Sequence, residues 1–180
     1  MEIGEYFDEH LNQFLLQNGH SPESASALSF RSQAFSKEYS NFNYAFGFLY
    51  QPLSKFDINL NVSSNFRVPN AIELSSNGIH HGSFRHEKGN PNLDPEKGWS
   101  ADLKFTYHPT NWRFEINPYL YYYQNYLFLE PTVQFSPLPN GGQIYQYNQT
   151  KAFITGVDFL IEKKFWNQLK GTFSVEYLYN

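Results

Sequence analysis

FDINLNVSSNFR, residues 56–67, sorts its side chains by parity. Phe56, Ile58, Leu60, Val62, Ser64 and Phe66 hold the even positions, while Asp57, Asn59, Asn61, Ser63, Asn65 and Arg67 hold the odd ones. Successive side chains of a strand point to opposite faces, so one face of this segment is almost wholly apolar and the other wholly polar. The alternation also runs far. Strands of soluble sheets commonly stop at about 5 or 6 residues.

The same pattern returns along the chain. Phe42, Tyr44, Phe46, Phe48 and Tyr50 share a side in 42–50, and Trp99, Ala101, Leu103, Phe105 and Tyr107 share one in 99–108. Trp112, Phe114, Ile116, Pro118, Leu120 and Tyr122 do so in 112–123, Phe153, Val157, Phe159 and Ile161 in 153–162, and Leu169, Phe173, Val175 and Tyr177 in 169–177. Recurring period-two alternation predicts an antiparallel all-β sheet of six to eight strands. Residues 1–37 fit this scheme least; they suggest an extended stretch and then a polar loop around NGHSPESAS.

Connections alternate in length. Short turns fall at QPLSK (51–55), HPTN (108–111) and KKFWNQ (163–168), and long connections at 68–97 and 128–151. Every short turn therefore lies at one end of the sheet and every long one at the other. A tilted strand of a dozen residues spans about 30 Å, enough to cross the apolar band of an outer membrane, and such barrels have short periplasmic turns and long outer loops. Tyr50, Phe56, Tyr107, Trp112, Phe165 and Trp166 flank the short turns, and Phe66, Trp99, Tyr126 and Tyr179 the other rim, where aromatic girdles form. The competing reading is a soluble, aromatic-rich β-sandwich that binds carbohydrate on its rings. A sandwich covers its apolar rows with a second sheet; a membrane barrel leaves them bare.

Composition removes other classes. Charged residues are 17% of the 180, and the net charge of −4 provides no basic footprint for nucleic acid. Cysteine is absent, which excludes disulfides and thiolate metal sites. No apolar run approaches the roughly 20 residues of a membrane helix, and the acidic start MEIGEYFDEH lacks the basic and apolar regions of a signal peptide. That start fits a cytoplasmic chain or an internal piece of a longer exported one. Neither Gly-x-Ser-x-Gly nor His-Glu-x-x-His occurs, so no catalytic residue and no enzyme are expected.

The segment NFRVPNAIELSSNGIHHGSFRHEKGNPNLDPEKGWSADL resembles a stretch in the β-barrels of TonB-dependent outer-membrane receptors. Phe66, Arg67, Pro69, Asn70, Glu73 and Leu74 fit its first part, and Glu87, Gly89, Asn90, Pro91, Leu93, Pro95 and Glu96 its second. YYYQNYLFLEPT and IYQYNQTKAFITGVDFLIEKKF are similar to later strands of that barrel. The resemblance runs from about residue 39 to the end. It implies an antiparallel meander forming a partial segment of a 22-stranded transmembrane barrel in the outer membrane of a Gram-negative cell. It also implies that residues 1–180 lack the plug domain and the remaining strands, and that contact with the TonB complex is made through that missing plug. Expressed alone, such a piece would expose open strand edges beside an apolar face and be expected to aggregate or require detergent. The Gly78–Ser83 segment is similar to a subgroup that includes zinc-uptake receptors. The implied cargo is a metal ion or chelate: zinc, siderophore-iron, haem or cobalamin. No resident cofactor is implied.

Four residues, His80, His81, His86 and Glu87, form the one candidate metal set, since imidazole and carboxylate suit Zn²⁺ and a tetrahedral site takes about four donors. Its alternative is a solvated loop whose histidines bind nothing. Arg67, Asn70, Glu73 and Glu96 stand at the loop base beside the lumen. They either line the route inward or hold the base, Arg67 pairing with Glu73 or Glu96. GNPNLDP reads as loop architecture. Asp57, Asp102, Lys104, Arg113, Glu115, Asp158, Glu162, Lys170 and Glu176 make a mixed-sign polar wall, available for plug contacts or for salt bridges with one another.

Overall fold

The computed structural model describes every residue except Gln33, His81 and Pro139. In chain order its elements are β1 (Glu2–Ile3), β2 (Tyr6–Phe7), α1 (Glu9–Gln17), α2 (Pro22–Ser29), β3 (Phe30–Ser32), β4 (Phe35–Ser36), β5 (Ala45–Leu53), β6 (Phe56–Arg67), α3 (Ala71–Ser75), β7 (Asn77–His80), β8 (Arg85–Lys88), β9 (Glu96–Tyr107), β10 (Trp112–Phe135), β11 (Gln143–Trp166) and β12 (Leu169–Tyr179). Two compact units result. One comprises Met1–Ser40, Val68–Pro95 and Leu127–Gln149; the other comprises Asn41–Arg67, Glu96–Tyr126 and Thr150–Asn180. Among the described residues no helix is long and apolar enough to cross a membrane.

The second unit is the expected sheet, its strands hydrogen-bonded in the order β5-β6-β9-β10-β11-β12. Register keeps the apolar rows aligned from strand to strand. Phe48 lies opposite Leu60, and Leu60 opposite Leu103; Ile58 lies opposite Phe105, and Phe105 opposite Ile116. Farther along, Phe159 faces Val175 and Ile161 faces Phe173. A one-residue slip would put these side chains on the polar face, so the pattern itself specifies the pairing. Phe46, Phe48 and Phe173 remain 70, 62 and 66% exposed. No second layer of the described chain covers them, which is the condition a sandwich would have to meet.

The opposite face is a hydrogen-bonded polar surface. Asn61 donates to Asp102 at 3.0 Å, the Ser63 and Ser100 hydroxyls meet at 2.7 Å, and Thr106 donates to Glu115 at 3.1 Å. Ion pairs join Arg113 to Glu115 at 2.6 Å and Lys170 to Glu162 at 2.8 Å, while His108 lies 3.1 Å from Asp57. Two glycines give tyrosines room on this face. A Cβ at Gly98 would approach the Tyr123 ring to 2.9 Å, and one at Gly156 would collide with the Tyr119 hydroxyl, which donates to Glu176 at 2.5 Å.

Two regions depart from expectation. Residues 1–37 hold two helices where the sequence suggests an extended stretch and a loop. Asp8 caps α1 by accepting from the Leu11 amide at 3.0 Å, and Ser21 caps α2 by accepting from Ser24 at 3.2 Å, with Pro22 in the first turn. Ser-Pro-Glu at 21–23 is a readable helix start, but α2, PESASALS, has too little apolar periodicity to reveal itself. The stretch 128–151 is largely strand rather than irregular. β10 and β11 are 24 residues each, leaving only 136–142 as their connection, in which Ser136 donates its amide to Gly142 at 2.9 Å and Asn140 has φ +58°. Among the described residues the meander is otherwise antiparallel, with one parallel pairing, Ile144–Gln146 of β11 against His86–Lys88 of β8.

Candidate functional site

The loop-base residues build a helix cap. Asn70 accepts from the Glu73 amide at 2.9 Å through its side chain, and the Glu73 carboxylate accepts from the Asn70 amide at 2.8 Å. This reciprocal pair satisfies two amides that the start of α3 would leave open. Leu74, in that helix, is fully buried in a cluster with Leu93 and Leu127, and Ile3, Phe35 and Tyr147 pack around them. The Gly-Asn-Pro run then folds over α3. Gly89 donates to Ser76 O at 2.7 Å and Asn90 to Glu73 O at 2.8 Å. A Cβ at Gly89 would stand 2.5 Å from the Ser75 nitrogen, so only glycine permits this approach. The Asp94 amide and carbonyl are clasped by the Gln149 side chain at 2.9 and 2.6 Å, and Lys37 donates to the carbonyls of Pro91 and Leu93. GNPNLDP is accordingly architecture. At the end of β6, Arg67 lies 3.6 Å from Glu96, its cross-strand partner.

The candidate metal set does not assemble among the described residues, where no three histidine or acidic side chains converge on a point. The cause is strand alternation. In the β7–β8 hairpin His80 pairs with Arg85 and Gly78 with Glu87, so His80 and Glu87 share one face. His86 pairs with Ile79 and lies on the other. His81 lies outside the described residues. Exposed His80 has its Nδ1 3.3 Å from Ser83 Oγ. Buried Glu87 accepts from Arg85 Nε at 2.9 Å and from the Tyr147 hydroxyl at 3.2 Å, and Arg85 stands 5.2 Å over the Tyr145 ring. His80 and Glu87 both line a depression of about 390 Å³, together with Tyr6, Asp8, Arg31 and Asn77.

Both nitrogens of His86 are already engaged. Asn77 donates its amide to Phe30 O at 2.7 Å, which turns its carbonyl toward His86 Nε2 at 3.0 Å. That nitrogen must carry the proton, leaving Nδ1 to accept from the Ser136 hydroxyl at 2.8 Å. Burial first, and then the positive charges of Arg31 and Lys88, hold the imidazole below its ordinary value. The unfolded chain therefore binds the proton more readily than the folded one as pH falls below about 6.5. The stabilisation is complete above that value and is lost as pH falls toward the depressed one. Hydrogen exchange of the β7–β8 amides, corrected for intrinsic rates, is expected to accelerate on going from about pH 7.5 to about pH 5. His86→Gln should flatten that dependence, and an equal slope in the variant would assign it to another group.

Residue identity alone does not reveal the hairpin parity that separates the histidines, whereas Asn70-x-x-Glu73 is a legible capping signal.

The sequence matches the family described as TonB dependent receptor-like, beta-barrel, over residues 10–180. No curated protein matches the chain. Among solved structures, the siderophore receptor PirA from Pseudomonas aeruginosa superposes with a TM-score of 0.63 at 18% identity, over 77% of this chain and 28% of that one. PirA from Acinetobacter baumannii gives 0.57 at 16%, over 82 and 23%, and the copper transporter OprC 0.57 at 14%, over 74 and 20%. The chain thus spans between a fifth and three-tenths of the length of these structures, and at such identities the likeness is one of fold. Aligned bare apolar rows, a bonded polar face and a match over nearly the whole length have one reading: the chain belongs to the β-barrel family of TonB-dependent receptors.

Proposed function

We propose that this chain forms part of the barrel wall of a receptor that imports a metal ion or metal chelate across a Gram-negative outer membrane. The observation that supports it most is the pairing of uncovered apolar rows with a hydrogen-bonded polar face on the same strands. In a bilayer the apolar rows meet acyl chains and the polar face lines the lumen. The short turns then face the periplasm, and the regions 68–97 and 128–151 stand on the extracellular side. The rest of the receptor supplies the plug and the remaining strands, and the plug takes the pull of the TonB complex. The family is one of receptors and transporters, so no reaction is assigned.

Metal cargo is favoured by the siderophore and copper proteins among the structural neighbours and by the His80 segment. His80 offers an exposed imidazole to that depression, while the carboxylate of Glu87 is held by Arg85 and Tyr147; a naked Zn²⁺ would take about four donors. One exposed imidazole suits a chelate that brings most of its own ligands. The test uses the intact receptor, with uptake of zinc and of ferric siderophores measured with and without TonB. Chelate binding is expected to weaken about tenfold in His80→Ala, the scale of one lost hydrogen bond to a charged group. His86→Ala should leave the free Zn²⁺ titration unchanged. TonB-independent uptake, or zinc affinity lost equally in both variants, would contradict the proposal.

A further inference from the structure

We infer that the apolar wall carries a discrete site for one anionic glycerophospholipid, its phosphate on Lys163 and an acyl chain in the groove beneath. The groove has a volume of about 300 Å³ and opens among Phe56, Phe105, Tyr107, Phe114, Ile116 and Ile161. These side chains come from β6, β9, β10 and β11. Phe56 and Phe105 stack at 6.4 Å, and Tyr107 and Phe114 at 6.3 Å, as two parallel pairs that border it. Glu115 also reaches its edge, but its carboxylate is taken on the polar face by Arg113 and Thr106.

A cation marks one end. Lys163 has the parity of Phe159 and Ile161, so it belongs to the apolar wall and not to the polar one. Its ammonium stands 4.5 Å from the centre of the Trp112 ring and 5.2 Å from that of Phe165, and among the described residues it pairs with no carboxylate. Trp112 in turn stacks on Phe114 at 5.5 Å, which connects the cation to the groove. An ammonium held by ring faces retains donors for an anion, and lysine serves as a point charge for phosphate. Charge at the rim and hydrocarbon-shaped space below it match the two ends of a phospholipid.

The choice of phospholipid over lipid A rests on the orientation given under Proposed function. Lys163 precedes the short turn at Asn167 and Gln168, which that orientation assigns to the periplasmic leaflet. The intact receptor, delipidated in detergent, would be titrated with phosphatidylglycerol, phosphatidylcholine and lipid A and read by native mass spectrometry. Heat-modifiable gel mobility would verify that each variant is folded. One phosphatidylglycerol is expected to be retained saturably, and in preference to phosphatidylcholine. Its affinity should fall about tenfold in Lys163→Gln and comparably in Ile116→Trp, which fills the groove. Unsaturable retention of every lipid, equal in both variants, would overturn the site and leave the barrel's orientation untouched. Saturable, Lys163-dependent retention of lipid A in place of phosphatidylglycerol would overturn the phospholipid assignment and the orientation with it.

Discussion

Leu60→Arg is expected to destabilise the inserted receptor by about 2–4 kcal/mol, the cost of a guanidinium on the lipid face near the bilayer midplane. Leu60 is central in the 12-residue β6, with Phe48 opposite on one side and Leu103 on the other, and it is 40% exposed. In water an exposed leucine tolerates a charge, so the penalty appears only if hydrocarbon lies outside. The adjacent substitution Asn61→Lys supplies the control. It places the same sign of charge on the polar face opposite Asp102 and should change stability by less than about 1 kcal/mol. Urea unfolding of the intact receptor from lipid vesicles measures both. Equal penalties, or a harmless arginine at 60, would mean that the apolar rows do not face lipid.

That asymmetry is visible in residues 56–67 because period two is a property of neighbours along the chain. Each residue of FDINLNVSSNFR reports its own face, and cross-strand register follows once the faces are aligned. The turns expected at 51–55, 108–111 and 163–168 are placed for the same local reason, although β5 continues to Leu53 and β11 to Trp166, which shortens the first to 54–55 and the last to 167–168. What residue identity does not show is how segments far apart meet. His86 reads as a metal donor until Ser136 and Asn77, distant by 50 and 9 positions, occupy its two nitrogens. Similarly, 128–151 reads as a loop because its polar content masks the alternation, and strand extension there relies on partners such as Thr132, which donates to Ile144 O at 2.8 Å. Helices α1 and α2 are short, and most helical stability comes from tertiary packing rather than propensity. Leu15 and Ala25 are nearly or wholly buried, but sequence alone does not say against what.

The other large effect lies in the first unit, where Leu74→Ala is expected to cost about 2–5 kcal/mol. Leu74 has no exposed surface and anchors the cluster with Leu93 and Leu127, three side chains from segments that approach only on folding. Truncation removes contacts to both and leaves a cavity that the surroundings cannot easily close. Gly89 already sits against the backbone of Leu74, and the Asn70–Glu73 cap fixes the start of α3. Ile72, two positions earlier in the same helix, is 56% exposed, and Ile72→Ala should change stability by no more than about 0.5 kcal/mol. Hydrogen exchange of the 68–95 amides in the intact receptor separates the two. Their opening equilibrium should rise roughly thirty-fold or more in Leu74→Ala and stay near wild type in Ile72→Ala, while the amides of β6 and β9 remain protected in both. Acceleration confined to α3 would contradict a shared core. If Leu93 and Asn90 open together with Leu74, the Gly-Asn-Pro-x-Leu run is held by packing beneath it, and its role is to seat the hairpin that carries His80 and Glu87.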